Sequence, residues 1–216
     1  MEVDVIIPYW GDFDEKMLNE ARMSVQNQIV SNVKVNIIEP PSTKEVQEVE
    51  GISSQLGRCR NLMIKKSSAP LILPLDADDK IHPYYLARTM AHMEEHNADI
   101  VYTFLKWFGD MDHEWPMAEF QTETLLQGNY ITCCSLYKRE MWEKYHYPED
   151  MVYGYEDWDF WVGGVKNGYV PKLLPEYLFF YRRREGQMIN TSDIHRPELI
   201  AKIREHHKDF YEEIGV

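Results

Sequence analysis

The sequence has only three cysteines among 216 residues, Cys59, Cys133 and Cys134. None stands at CxxC spacing, and an odd, unframed set excludes a disulfide-stapled scaffold and leads to the expectation of a reducing compartment. Cys133 and Cys134 are adjacent in an apolar stretch and read as core packing rather than zinc ligands. Long apolar runs are missing too. No stretch is long enough to cross a bilayer, and the opening MEVDVIIPYW has neither a basic n-region nor an apolar h-region. A cytoplasmic protein is the expectation. Basic residues are scarce: 23 Lys plus Arg against 36 Asp plus Glu leave a net charge of −13. That repulsion argues against binding a nucleic-acid backbone as the main task, although Arg182, Arg183 and Arg184 form one local basic cluster. Internal repeats and low-complexity tracts are absent. What is present, 44% apolar residues and 13% aromatics, suits a packed domain, and the length suits one domain over residues 1–216.

The first half alternates two periodicities. VDVIIP (Val3 to Pro8), VKVNIIEPPS, PLILPLD and DIVYTF are short apolar runs bounded by Pro or acidic residues, and they read as buried strands. Between them come helical patterns. Leu18, Ala21 and Val25 share a face behind Asp14 as N-cap, and Ile52, Leu56, Cys59 and Met63 recur at helical spacing. Leu86, Met90 and Met93 follow Pro83 near a helix start. Such alternation predicts an α/β fold with a mainly parallel sheet covered by helices. The second half is less regular. FLKWFGDMDHEWPM predicts an antiparallel ribbon turning at Gly109-Asp110, ITCCSLY and EYLFFYR predict strands, and GYEDWDFWVGGVKNGY predicts a short amphipathic helix. The terminal RPELIAKIREHHKDFYEEIGV predicts another helix, and no linker marks a second domain.

Two acidic clusters carry the candidate chemistry. Asp76, Ala77, Asp78 and Asp79 end the third predicted strand, where ligands bind in open α/β sheets. Asp76 and Asp78 suit a hard divalent cation, since magnesium takes one or two carboxylates plus phosphate oxygens. The alternative is that Asp79 caps the following helix. Glu156, Asp157 and Asp159 lie among Tyr155, Trp158 and Trp161. Desolvation beside aromatics raises a carboxylate's proton affinity, as a general base requires, whereas a plain helix start would also favour these acids. The arginines of YRRREGQM suit phosphate oxygens, or simply balance nearby acids. Trp107, Phe108, Trp115 and Trp142 are candidates for stacking a ligand ring or for packing.

Taken in order, DVIIPYW, SVQNQ, IIEPPST, GRCRN, LPLDADD, YGYEDWDFWVGGVKNGY and FFYRRREGQM resemble the motif series of the family 2 glycosyltransferases, from Val3 to about Met188. The resemblance implies a single GT-A (Rossmann-like) domain with a mainly parallel sheet, flanking helices and a smaller antiparallel ribbon. It implies an inverting transfer of a hexosyl group from a nucleotide-diphosphate sugar, a UDP-sugar, to an acceptor hydroxyl. It also implies roles for individual residues. Asp76 would meet the ribose, and Asp78, with Asp76, would hold manganese or magnesium on the diphosphate. Ala77 lies between them. Glu39, with Pro8 and Tyr9, would form the nucleobase pocket, and Arg60 would approach base and diphosphate. Asp157 would be the catalytic base, with Glu156 and Trp158 seating the acceptor, and Arg182 and Arg184 would lie against the leaving diphosphate.

Three departures stand out. Glu39 followed by Pro40-Pro41 replaces an acidic Asp-Gly pattern, Arg184 stands where a His is common, and Gln187 replaces a Ser. The acceptor class, whether glycan, lipid-linked sugar, protein or modified nucleic acid, is left open. Rival readings are a sugar-nucleotide-binding module without catalysis, an acidic interaction protein, and a zinc peptidase in which HMEEH supplies His92, Glu95 and His96. The last fits poorly, because those residues lie off the apolar face of their helix.

Overall fold

The computed structural model describes residues 1–9, 13–40, 56–184 and 189–216. Pro41, Ile52 and Gln187 lie outside the described residues. Helices are α1 (Glu15–Gln26), α2 (Leu56–Lys66), α3 (Tyr85–Glu95), α4 (Thr122–Gln127), α5 (Arg139–Lys144), α6 (Glu156–Lys166), α7 (Ile189–His206) and α8 (Lys208–Ile214). Strands are β1 (Glu2–Ile6), β2 (Lys34–Ile38), β3 (Leu71–Pro74), β4 (Lys80–Ile81), β5 (Ile100–Gly109), β6 (His113–Trp115), β7 (Leu136–Lys138) and β8 (Pro171–Arg183).

Among the described residues, the strands form one sheet of order β2-β1-β3-β7-β5-β8-β4, with β6 paired to β5. β1 is parallel to β2 and β3, and β5 is parallel to β8. β7 is antiparallel to both β3 and β5, so those two strands run in the same direction. The expected mainly parallel sheet is therefore present, but the third and fourth strands of the alternation are not neighbours: β7 lies between them. The expected ribbon is also present, with β6 pairing antiparallel to the end of β5. ITCCSLY is less extended than its apolar content predicts. Only Leu136–Lys138 is strand, and the residues before it form a loop in which Thr132 and Ser135 satisfy their hydroxyls on nearby carbonyls.

Each face of the sheet buries its own apolar cluster, because strands such as β1 send alternate residues to opposite sides. Val3 and Val5 join Leu18, Ala21 and Val25 of α1 and Leu86 and Met93 of α3. Ile6 joins Cys59, Met63 and Ile64 of α2 with Trp158, Phe160 and Trp161 of α6. Asp14 caps α1, accepting from the Lys16 and Met17 amides. Asp79 does not cap α3. Tyr84 occupies that N-cap without a side-chain bond, whereas Asp79 is fully buried and accepts the Arg182 amide at 2.7 Å. In α6 the pair Gly163-Gly164 permits close packing, since a Cβ on Gly163 would lie 2.2 Å from the Tyr145 ring. The terminal helical pattern divides into α7 and α8 at His207.

Candidate active site

The parallel strands deliver their C-terminal ends to one rim, and a cleft of about 720 Å³ opens there. Pro8, Arg60, Asp76, Ala77, Asp78, Glu156, Asp157 and Arg184 all line it. The two acidic clusters, some eighty positions apart in sequence, thus face one cavity, as the ends of β3 and the start of α6 converge.

Arg60 fixes that convergence. Its side chain is 1% exposed, and its guanidinium donates to Asp76 Oδ1 at 2.8 Å and to Glu156 Oε1. Burial opposes its charge, but Asp76 and Glu156 more than reverse this and hold its pKa well above the ordinary value. Arg60 is therefore not a surface residue; it braces β3 to α6 at the cleft wall. Asp76 is fixed at both oxygens, since Cys133 Sγ lies 3.2 Å from Oδ2. Cys133 accordingly lines the cleft from its loop, whereas Cys134 is in the core.

Asp157 is half-buried at the first turn of α6. Its Oδ2 accepts from Asn129 Nδ2 at 3.2 Å and its Oδ1 from the Trp158 amide at 2.8 Å. Burial and the neighbouring Glu156 carboxylate push its pKa up to about 7, against the opposing pull of Arg60. Asp78 is likewise raised, by burial and Asp76, with Arg184 at 3.4 Å countering the shift. No three His, Cys, Asp or Glu side chains gather as a metal cage among the described residues, around His92, Glu95 and His96 included. The donor set does fit a cation that takes its remaining ligands from phosphate. Asp76 and Asp78 present two carboxylates on the cleft wall, and Asp78 is burdened by the very repulsion that a cation would relieve.

Several expected contributors are committed to protein partners. Glu156 is 4% exposed and engaged by Arg60 at the cleft wall. Trp158 is 1% exposed at the floor of the cleft and donates its indole N–H to the Leu125 carbonyl. Asp159 points away from the cleft, accepting from Tyr145 and lying 2.6 Å from His206 Nδ1 and 3.2 Å from His207 Nε2. Arg182 also turns away, with its guanidinium on the Asp78 carbonyl and on Glu20, over the Phe108 ring. Strand alternation puts Arg183 and Tyr181 on the cleft side instead. The resemblance gives roles to Arg182 and Arg184 and none to Arg183, and period two along EYLFFYRRR says only that Arg182 and Arg183 face opposite sides. Glu39 lies beside the cleft, bound at 2.5 Å by Arg22 Nε and at 3.4 Å by the Tyr9 hydroxyl. Arg22, a helix-face residue of α1, is the partner that sequence spacing did not reveal.

A mixed sheet with a cleft at its parallel strand ends and paired acidic clusters defines a GT-A-like domain. Residues 51–146 match the family model described as Glycosyl transferase family 2. The chain is 23% identical over 205 residues to the uncharacterized glycosyltransferase MJ1057 of Methanocaldococcus jannaschii, covering 83% of this chain and 70% of the relative. Its fold is that of S. aureus TarS 1-349 in complex with UDP-GlcNAc (TM-score 0.69, 19% identity, 94% of this chain and 66% of that one). The complex of the same protein with UDP gives a TM-score of 0.68 at 18% identity, with 94% and 65% covered. Motifs, the match over residues 51–146 and the fold all point the same way, to similarity with the family 2 glycosyltransferases.

Proposed function

We propose that the cleft moves a hexosyl group from a UDP-sugar to an acceptor hydroxyl in one displacement, with inversion, and that Asp157 is the general base. The observation that carries this reading is Asp157 itself. It is a carboxyl on the cleft wall, raised to about 7, in the same cavity as Asp76 and Asp78. A base titrating near neutrality is half available and still basic enough to take a proton. The UDP-GlcNAc and UDP complexes of TarS, which shares the fold, support the choice of donor.

In this reading Asp157 accepts the acceptor hydroxyl's proton while the oxygen bonds to the anomeric carbon. The bond from that carbon to the diphosphate breaks, and UDP leaves with the electron pair. Asn129 orients the Asp157 carboxyl. Asp78 and Asp76 would hold manganese or magnesium, which when bound neutralises diphosphate charge. Arg184 adds a guanidinium on the same wall, where negative charge grows on the leaving group. Tyr9 and Glu39 with Arg22 offer hydrogen-bonding groups for the nucleobase at the β1–β2 side.

The test is isothermal titration with UDP-GlcNAc and other UDP-sugars, followed by transfer to a panel of acceptors and by donor hydrolysis. Asp157→Asn should leave donor affinity within a few-fold and lower turnover by about 10²-fold or more. Wild-type turnover in that variant would remove Asp157 from the role of base.

A further inference from the structure

The β5–β6 hairpin is two-faced. Cross-strand pairing sets Leu105 opposite Trp115 and Trp107 opposite His113, so the alternating side chains of both strands share one face. That face is turned to the cleft, which Leu105, Trp107 and Trp115 line. The rings form a group: Trp107 and Trp115 have centroids 5.1 Å apart, and Trp107 and His113 5.2 Å apart. Arg183 stands over Trp107 at 5.0 Å on the side facing β8. Trp142 and Trp158 are core, whereas Trp115 is 46% exposed at the mouth of the cavity. An indole left half in water costs hydrophobic stabilisation, and the cleft that it lines also carries polar side chains, Asn129 and Tyr130 among them.

We infer that Trp115, backed by Trp107, is the platform of an acceptor subsite, and that the acceptor presents a neutral sugar ring. The inference rests on the transferase reading and names the acceptor class for that site. Position decides between donor and acceptor. Pro8 and Phe13 line the cleft near β1, Asp76 and Asp78 stand at the end of β3, and the tryptophans stand on the far side of β7, at β5 and β6. A donor spanning from β1 to β3 leaves the β5–β6 side to the second substrate, with Asp157 facing the shared cavity. Chemistry decides the class. A pyranose has one face of C–H groups that packs on an indole and an edge of hydroxyls that needs hydrogen-bonding partners, and this wall supplies both. A phosphate-rich acceptor has no comparable use for an exposed indole flanked by a second one.

The experiment uses methyl β-D-glucopyranoside and methyl β-D-N-acetylglucosaminide as probes, with sorbitol as an acyclic polyol lacking a ring face. Binding is followed by ligand-observed NMR on the full chain, with and without UDP. Wild type and Trp115→Tyr should bind at least one glycoside, Trp115→Ala should bind it about fivefold or more weakly, and sorbitol should not bind. UDP affinity, measured in parallel, should agree within twofold across the three proteins. The inference is overturned if neither glycoside binds wild type, if Trp115→Ala binds as wild type does, or if sorbitol binds equally well. Failure of UDP to bind wild type would instead strike the donor reading, and the glycoside comparison without UDP would still decide the role of Trp115.

Discussion

At the scale of single residues, the site depends on how charge is handled out of water. Arg60 neutralises Asp76 and Glu156 at once, which a lysine ammonium, a single point charge, does not reproduce. Arg60→Lys should lower the melting temperature and weaken UDP binding. Arg60→Met should cost about 3–5 kcal/mol in denaturant unfolding, the cost of leaving buried charge unpaired, and adding Glu156→Gln should recover part of it. Asp157 gives a pH signature of opposite sign for activity and stability. Its pKa is raised in the folded state, so the unfolded chain releases this proton at lower pH. Ionising it therefore costs stability progressively from the ordinary carboxylate range up to about pH 7, and the full cost applies above that. Asp157→Asn should be more thermostable than wild type at pH 8, with a smaller difference at pH 5. Transfer by wild type should rise with pH through the same region and level off, which a pH–rate profile checks.

At the scale of elements, the entry into α6 sets the position of Asp157. Tyr155 at its N-cap has φ 65°, and Gly154 before it has φ 112°. A Cβ on Gly154 would lie 2.4 Å from Ser192 Oγ, on α7. Gly154→Ala should therefore lower both the melting temperature and turnover, because the first turn of α6 shifts along with Asp157. The same first turn is fastened to the α7–α8 junction by Asp159. Burial raises that carboxyl's pKa, but hydrogen bonds with His206, His207 and Tyr145 more than offset this, leaving it below the ordinary value. His206 is raised, chiefly by its bond to Asp159. The histidine's contribution is present below its unfolded pKa and is lost as pH rises through the raised one. The aspartate's contribution is present above its unfolded pKa and is lost as pH falls through the lowered one. Hydrogen exchange should find α7 and α8 most protected between these limits, and Asp159→Asn should loosen both helices.

At the scale of the whole molecule, a chain of net charge −13 would bind the proposed anionic donor only through local arrangement. The cleft concentrates Arg60, Arg183, Arg184 and Arg196 against its acids. Manganese should tighten UDP binding, and Asp78→Ala should weaken binding and abolish that dependence while Arg184 sustains a metal-free remainder. Titrations with and without chelator measure both. Unaltered metal dependence in the variant would remove Asp78 from the cation site.

The sequence by itself determined the alternation of strands and helices, the acidic ends of β3 and α6, the Asp14 cap and the ribbon at Gly109. Each is a local matter of periodicity, turn chemistry and capping, written within a few neighbouring residues. Tertiary structure decided what faces what. β7 enters between β3 and β5 because pairing partners come from distant chain segments. Arg60 became a buried brace because two carboxylates from opposite halves of the chain converge on it. The choice between Arg182 and Arg183 depended on the phase of β8, which the shifts in β5–β8 register around Phe104 reset in a way that alternation alone does not fix. The same holds for the tryptophans: composition supplies six, and only packing leaves Trp115 in water at the cleft while Trp158 is sealed beneath it.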